Sequence, residues 1–182
     1  MIEMRFHGRG GQGAVTSAEL VAQAAIDTGR YATAFPSFGP ERRGAPVVAF
    51  ARVDDQPVRL RSKVYNPDVV IVLDPSLLEI GNPAEGLREN GILIINSSQD
   101  AQSLRNQISY KGRLALVDAS RIAREVIGLP ITNTTMVGAL VKGTNLVALE
   151  ALKGPFQRRF GKIAARNIEA MERAYKETNV IE

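Results

Sequence analysis

Residues 2–29 read IEMRFHGRGGQGAVTSAELVAQAAIDTG. The periodicity of this stretch changes twice, and that decides the fold. IEMRFH, residues 2–7, alternates apolar and polar side chains as a strand does. Residues 8–13 hold four glycines in six positions. Residues 14–29 are alanine-rich and read as a helix stopped by Gly29. Strand, glycine loop and helix open a dinucleotide-type α/β unit, and Gly8, Gly10 and Gly13 fit G-x-G-x-x-G. Glycines let such a loop turn sharply and approach a ligand. The helix start behind it offers unpaired N–H groups and a partial positive charge to an anion. Arg9 adds a fixed charge within the loop.

Two features argue against a complete NAD site. The family of such sites places an acid about twenty residues on, at the end of the second strand, to hold the ribose. Here that strand is RYATAF, residues 30–35, which runs into Pro36-Ser37, while Asp27 precedes Gly29. Gln12 also brings a long amide to where a pyrophosphate would pass. The loop is therefore read three ways: a dinucleotide site lacking its acid, a structural turn, or a surface for another phosphate ligand or a partner.

The remaining chain continues the α/β pattern. VVAFARV, DDQP and VRLRS, residues 47–62, read as an antiparallel hairpin. PDVVIVLD (67–74), GILIIN (91–96) and RLALVD (113–118) are continuous apolar runs of the kind found in parallel strands buried on both faces. Residues 75–90 hold short helical pieces and 119–130 a short helix. Residues 132–160 are mostly helical, with a break near Gly143 and a stop at Gly154-Pro155. In the tail, Ile163, Ile168, Met171 and Tyr175 share one face of an amphipathic helix. No linker or repeat divides the chain, so residues 1–182 are expected to form one α/β domain: a Rossmann-like three-layer sandwich, mostly parallel, with an antiparallel hairpin insertion.

Composition narrows the chemistry. The 182 residues include no cysteine and one histidine, His7, and the formal net charge is +4. Without cysteine this chain has no thiolate for a nucleophile, a zinc site or an iron–sulfur cluster. A single histidine leaves little for a metal site or a Ser-His-Asp triad, and His7 is read as a strand-end residue that hydrogen-bonds locally. Aromatics are 5% and no dense basic run occurs, so nucleic acid is not called for. No signal peptide or membrane span is visible, and a cytoplasmic location is the expectation.

A second loop, SFGPERRGAP at residues 37–46, carries Glu41, Arg42 and Arg43 on a Gly/Pro frame. It follows the second strand, so its start is expected at the same sheet end as the glycine loop, where α/β sheets bind ligands. Guanidinium groups suit phosphate or carboxylate. Arg52, Arg59, Arg61 and Lys63 read as charges on an outward strand face. In NTTMVGALVK, residues 133–142, Asn133 or Thr134 is the expected N-cap, with groups that also line the crevice.

GRGGQGAVTSAELVAQAA (8–25), FPSFGPERRGAPVVAFARV (35–53), YNPDVVIVLDPSLL (65–78) and NTTMVGALVK together closely resemble the gamma subunits of 2-oxoacid:ferredoxin oxidoreductases, most of all the pyruvate:ferredoxin oxidoreductase group. The resemblance spans nearly the whole chain in order. It implies an enzyme that decarboxylates pyruvate oxidatively with coenzyme A, giving acetyl-CoA and CO2 and reducing ferredoxin. It further implies that thiamine diphosphate, Mg2+ and [4Fe–4S] clusters sit on other chains, and that alpha, beta and delta subunits are the partners. This gamma-type chain would be non-catalytic, supporting assembly and coenzyme A access. The candidate binding surface is Gly8, Arg9, Gly10, Gly11, Gln12 and Gly13 with Ser37, Gly39, Glu41, Arg42, Arg43 and Asn133. Arg9, Arg42 and Arg43 are candidates for coenzyme A phosphates, and Gln12 for a polar contact across a subunit interface. Competing expectations are a gamma subunit for another 2-oxoacid (branched-chain, 2-oxoglutarate or aryl pyruvate), a free-standing nucleotide-binding module, and a scaffold that touches no small molecule.

Overall fold

The computed structural model describes residues 1–37, 43–108 and 110–182. Strand β1 (Ile2–Arg9) sends Met4 and Phe6 to one face of the sheet, where helix α1 (Ala14–Asp27) covers them with Ala14, Ala18 and Val21. Small residues on α1 let it lie close to the strands. The helix ends as its sequence indicates: Gly29 N–H returns to Ile26 and Arg30 N–H to Ala25, at 2.9 and 3.0 Å, a paired cap that satisfies two terminal carbonyls.

Strands β2 (Tyr31–Pro36) and β3 (Pro46–Asp54) follow, then β4 (Val69–Val72), the short helix α2 (Leu77–Ile80), β5 (Ile92–Asn96), helix α3 (Ala101–Ile108) and β6 (Arg113–Val117). Helices α4 (Ala119–Val126), α5 (Asn133–Thr144), α6 (Lys153–Phe160) and α7 (Ala164–Glu177) precede a last strand, β7 (Asn179–Ile181). Among the described residues, seven strands form one sheet in the order β2-β3-β1-β4-β5-β6-β7. Its centre, β1-β4-β5-β6, is parallel, and β3 and β7 join that centre antiparallel. The runs read as buried parallel strands are β4, β5 and β6, and every residue of β4 and β5 is buried.

Three layers result. Helices α1, α4, α5, α6 and α7 cover one face, around a core that includes Phe6, Ile71, Ile94, Leu140, Phe156 and Met171. The other face has a thinner cover, in which α2 and α3 bring Leu77 and Leu104 against Val70, Leu93 and Leu114. Helices α5 and α7 approach so closely that a Cβ on Gly138 would lie 2.0 Å from the Met171 carbonyl oxygen. Only glycine fits that crossing.

Four local expectations are corrected. The antiparallel hairpin pairs β3 with β2, not with residues 58–62. Both edges of β3 are taken, by β1 and β2, so the alternating VRLRS segment finds no free edge on β3. Arg52 faces inward and is 1% exposed: its Nε donates to Glu3 at 2.7 Å and its Nη atoms to the Leu60 and Lys63 carbonyls. Gly154-Pro155 lies in the first turn of α6 rather than ending a helix, a place where proline's missing N–H is not needed. The tail helix starts at Ala164 and buries Asn167, Ala170, Met171 and Ala174, leaving Ile163 60% exposed.

Candidate functional site at the sheet switch point

The carboxyl ends of β1 and β4 lie side by side, and the chain leaves them in opposite directions along the sheet. This switch point is where doubly wound sheets place ligands. The glycine loop follows β1, and Asp74 and Ser76 follow β4. Strand β2 runs parallel to β1, since both are antiparallel to β3. The described ends of the Gly/Pro loop therefore stand at the same end of the sheet. Gly10 N–H donates to the Ala45 carbonyl at 2.8 Å and Gly44 N–H to the Gly10 carbonyl at 3.1 Å. Ser37 N–H is held by the Val48 carbonyl at 2.7 Å.

The crevice itself is bridged by the chain's own side chains. Gln12 turns back so that its Oε1 accepts the Arg9 N–H at 2.6 Å, while its Nε2 donates to Asp74 Oδ2 at 2.7 Å. Arg9 Nε lies 3.3 Å from the same oxygen, and its guanidinium also donates to Ser76 Oγ and to the Gly44 carbonyl. Asp74 Oδ1 receives the Ser76 N–H and hydroxyl at 3.0 and 2.6 Å. Burial by itself raises the Asp74 pKa. The Ser76 hydroxyl and the Gln12 amide, with the Ser76 N–H and the Arg9 charge, outweigh it and hold the carboxyl below its ordinary value.

Helix α5 closes the site from the helical face. Its cap residue is Thr132, not Asn133 or Thr134. Asn133 is buried, its Oδ1 accepting the Thr134 N–H at 2.8 Å, and Thr134 Oγ1 points into the core onto Asn167. The Asn133 side chain lies against Gly13, where an added Cβ would fall 2.4 Å from Asn133 Nδ2. Gly13 has φ +82°, a left-handed conformation that side chains resist.

Of the residues proposed from sequence, Gly8, Arg9, Gly10, Gln12, Gly13 and Asn133 converge on the switch point. Gly11 and Arg43 are exposed at its rim. Gly39, Glu41 and Arg42 lie outside the described residues. His7 is expected from sequence to hydrogen-bond locally; its side-chain Nε2 is instead buried with no partner among the described residues. Burial, helped by the Arg5 charge, pushes its pKa down to about 4. Asp74 and Ser76 were missed by sequence reasoning. The available signal was the acid ending PDVVIVLD, one strand from the glycine loop.

Fold and site together define a Rossmann-like α/β chain whose nucleotide crevice is filled from within. A family model for pyruvate ferredoxin/flavodoxin oxidoreductase matches residues 3–177. The chain is 50% identical, over an alignment of 184 positions that covers 100% of each protein, to the pyruvate/ketoisovalerate oxidoreductases common subunit gamma of Thermococcus kodakarensis. It is 49% identical to the pyruvate synthase subunit PorC of Methanothermobacter thermautotrophicus, covering 97% of this chain and 96% of that one. The crystal structure of the pyruvate oxidoreductase subunit PORC of Thermotoga maritima superposes with a TM-score of 0.90 at 40% identity, covering 100% of this chain and 98% of that one. The chain belongs to the pyruvate ferredoxin/flavodoxin oxidoreductase family. It is of the gamma-subunit type within it.

The residues present do not suit the redox groups of such enzymes. With no cysteine in the sequence, no thiolate can ligate a cluster. Among the described residues no three His, Asp or Glu side chains gather where they could hold a metal ion.

Proposed function

We propose that this chain is the gamma subunit of a multi-subunit pyruvate:ferredoxin oxidoreductase, that it carries no catalytic side chain, and that its switch-point surface shapes the approach of coenzyme A between subunits. One observation carries the proposal: half-identity over the entire length to a gamma subunit shared by pyruvate and ketoisovalerate oxidoreductases. On alpha, beta and delta partner chains, thiamine diphosphate with Mg2+ would supply carbanion stabilisation, and [4Fe–4S] clusters would pass electrons to ferredoxin. This chain's part is positional. Arg9 and Gln12 lock the glycine loop to Asp74, which supports reading Arg9 as a positioning residue. Arg43, exposed on the adjoining loop, and its neighbour Arg42 remain as the phosphate contacts. The complex works in the cytoplasm, and no helix among the described residues is long and apolar enough to cross a membrane.

A gamma subunit for a branched-chain 2-oxoacid is the second reading, favoured by the same relative. A subunit common to two enzymes cannot be what tells their substrates apart, so the acid's side chain is selected elsewhere in the complex.

The test is Arg42→Ala with Arg43→Ala in the assembled enzyme. Loss of charge-assisted phosphate bonds raises the KM for coenzyme A about tenfold, with kcat kept. If neither that KM nor assembly changes, the assignment of these arginines is wrong. Purification of the chain from its source without a thiamine-binding chain and a cysteine-rich ferredoxin-like chain would overturn the subunit reading itself.

A further inference from the structure

Among the described residues, strand β2 is one of the two edges of the sheet. The Ser37 N–H bond to Val48 fixes which of its backbone groups face β3. In an antiparallel ladder such pairs alternate, so Tyr31, Thr33 and Phe35 bond inward. Ala32 and Ala34 turn their N–H and C=O groups outward, where no partner meets them among the described residues. Pro36, the next outward position, has no N–H to leave unpaired.

Grooves flank this edge on both sides. On the helical face one of about 510 Å3 runs between α1 and α6, floored by Leu20, Ala32, Ala34 and Pro155. On the opposite face another of about 590 Å3 lies between Thr33, Phe35 and residues 58–61. Arg59 and Arg61 line this second groove; they and Lys63, which follows in the chain, are exposed, with no ion pair or side-chain hydrogen bond among the described residues. The buried Arg52 holds the Leu60 and Lys63 carbonyls, so the row of cations is fixed from beneath. By contrast Arg158 and Arg159, beside the first groove, are paired with Asp27 and Glu19.

We infer that the β2 edge is a docking site for an extended segment of a partner subunit, added as an eighth strand and carrying acidic side chains toward Arg59 and Arg61. Side chains of an added strand alternate between the faces. The segment therefore reads as alternating residues: Asp or Glu over the cationic row, and small or apolar groups in the groove beside α1. A second copy of this chain does not fit, because pairing two β2 edges would bring two rows of unpaired cations together. The inference rests on the chain's acting as a subunit and adds the surface and the chemistry of one contact.

Hydrogen exchange on the isolated chain and on the assembled complex tests it. The Ala32 and Ala34 amides are expected to exchange freely in the isolated chain and at least tenfold more slowly in the complex, while Thr33 and Phe35 are protected in both. Ala34→Pro removes an outward N–H and leaves the inward ladder intact; it is expected to weaken assembly at least tenfold. Arg59→Glu with Arg61→Glu, away from the ladder, is expected to weaken assembly similarly and to reduce its salt dependence. A complex in which Ala32 and Ala34 exchange as fast as in the free chain overturns the inference and leaves the subunit reading standing. So does concentration-dependent protection in the isolated chain, which would mark self-pairing. Failure of the wild-type chain to assemble with any partner overturns both.

Discussion

Asp74→Asn should unlock the switch point without altering its shape. Every contact of the carboxylate is with a donor: Gln12 Nε2, the Ser76 N–H, the Ser76 hydroxyl and Arg9 Nε. Asparagine keeps one acceptor and turns an NH2 toward a donor. Gln12 cannot relieve the conflict by flipping, because its Oε1 already accepts the Arg9 N–H. A hydrogen bond to a charged group contributes about 1.5–3 kcal/mol, and a donor left unmatched costs a comparable amount. Asp74 is 17% exposed on its side chain, so screening is partial and the expected loss is about 3 kcal/mol. For a chain of this size that lowers Tm by about 6–12 °C.

Urea unfolding of wild type, Asp74→Asn, Gln12→Ala and the double variant gives the loss and the coupling of the pair, expected at about 1–2 kcal/mol. The pH dependence supplies an independent check. A carboxylate whose native pKa is lowered adds stability above its unfolded pKa of about 3.9, and loses it as pH falls through the lower native value. The gap between wild type and Asp74→Asn should be full at neutral pH and narrow below about pH 4. A loss under about 0.5 kcal/mol, or a gap that stays constant into acid, would refute the reasoning.

Gly13→Ala is expected to destabilise by at least about 2 kcal/mol, from left-handed strain and the contact with Asn133; adding Asn133→Ala removes the contacts with the amide but keeps a Cβ 3.0 Å away, and should recover part of the loss in urea melts while the left-handed strain of about 1 kcal/mol stays. His7 is neutral when folded and its pKa rises to its ordinary value on unfolding, so the unfolded chain binds the extra proton between these limits. Stability should fall by about 3 kcal/mol as pH drops from 6.5 to 4, and His7→Leu should flatten that slope. Arg52→Met leaves Glu3 short of its buried partner and should cost about 3 kcal/mol. It should also speed amide exchange over residues 58–63, which Arg52 tethers.

The strands and helices that alternate strongly were legible because one face of each is buried and its period shows in the sequence. β1 and α1 are of this kind, whereas β4, β5 and β6 show as continuous apolar runs because both of their faces are buried. Residues 58–62 misled for the opposite reason: their alternation is real, but strand pairing depends on a free edge, and β2 had taken it. Arg52 sits in a strand that reads as half exposed. Its burial depends on Glu3, forty-nine residues away, and no local pattern carries that. The candidate site was half legible. The glycine loop announces itself, whereas Asp74 acquires meaning only when the sheet order sets β4 beside β1.

The fingerprint's residues do different work here than in a nucleotide site. In such a site the loop N–H groups and any nearby cation are left for phosphate. Here the Arg9 N–H is taken by Gln12 and the Arg9 charge by Asp74, so the loop's one fixed charge is neutralised within the chain. Gly13 is needed for Asn133 to pack, which requires glycine whether or not anything binds outside. A free-standing nucleotide module would have to break the Gln12–Asp74 and Arg9–Asp74 contacts to admit a pyrophosphate, against the very pairing that holds Asp74 ionised. A rigid, neutral platform instead fixes the root of the neighbouring loop through Gly44 and Ala45 and leaves Arg43 outward. On the proposed function, contact with an anion therefore falls to Arg43 and its loop, and the glycine loop sets where the described end of that loop, Gly44 and Ala45, stands.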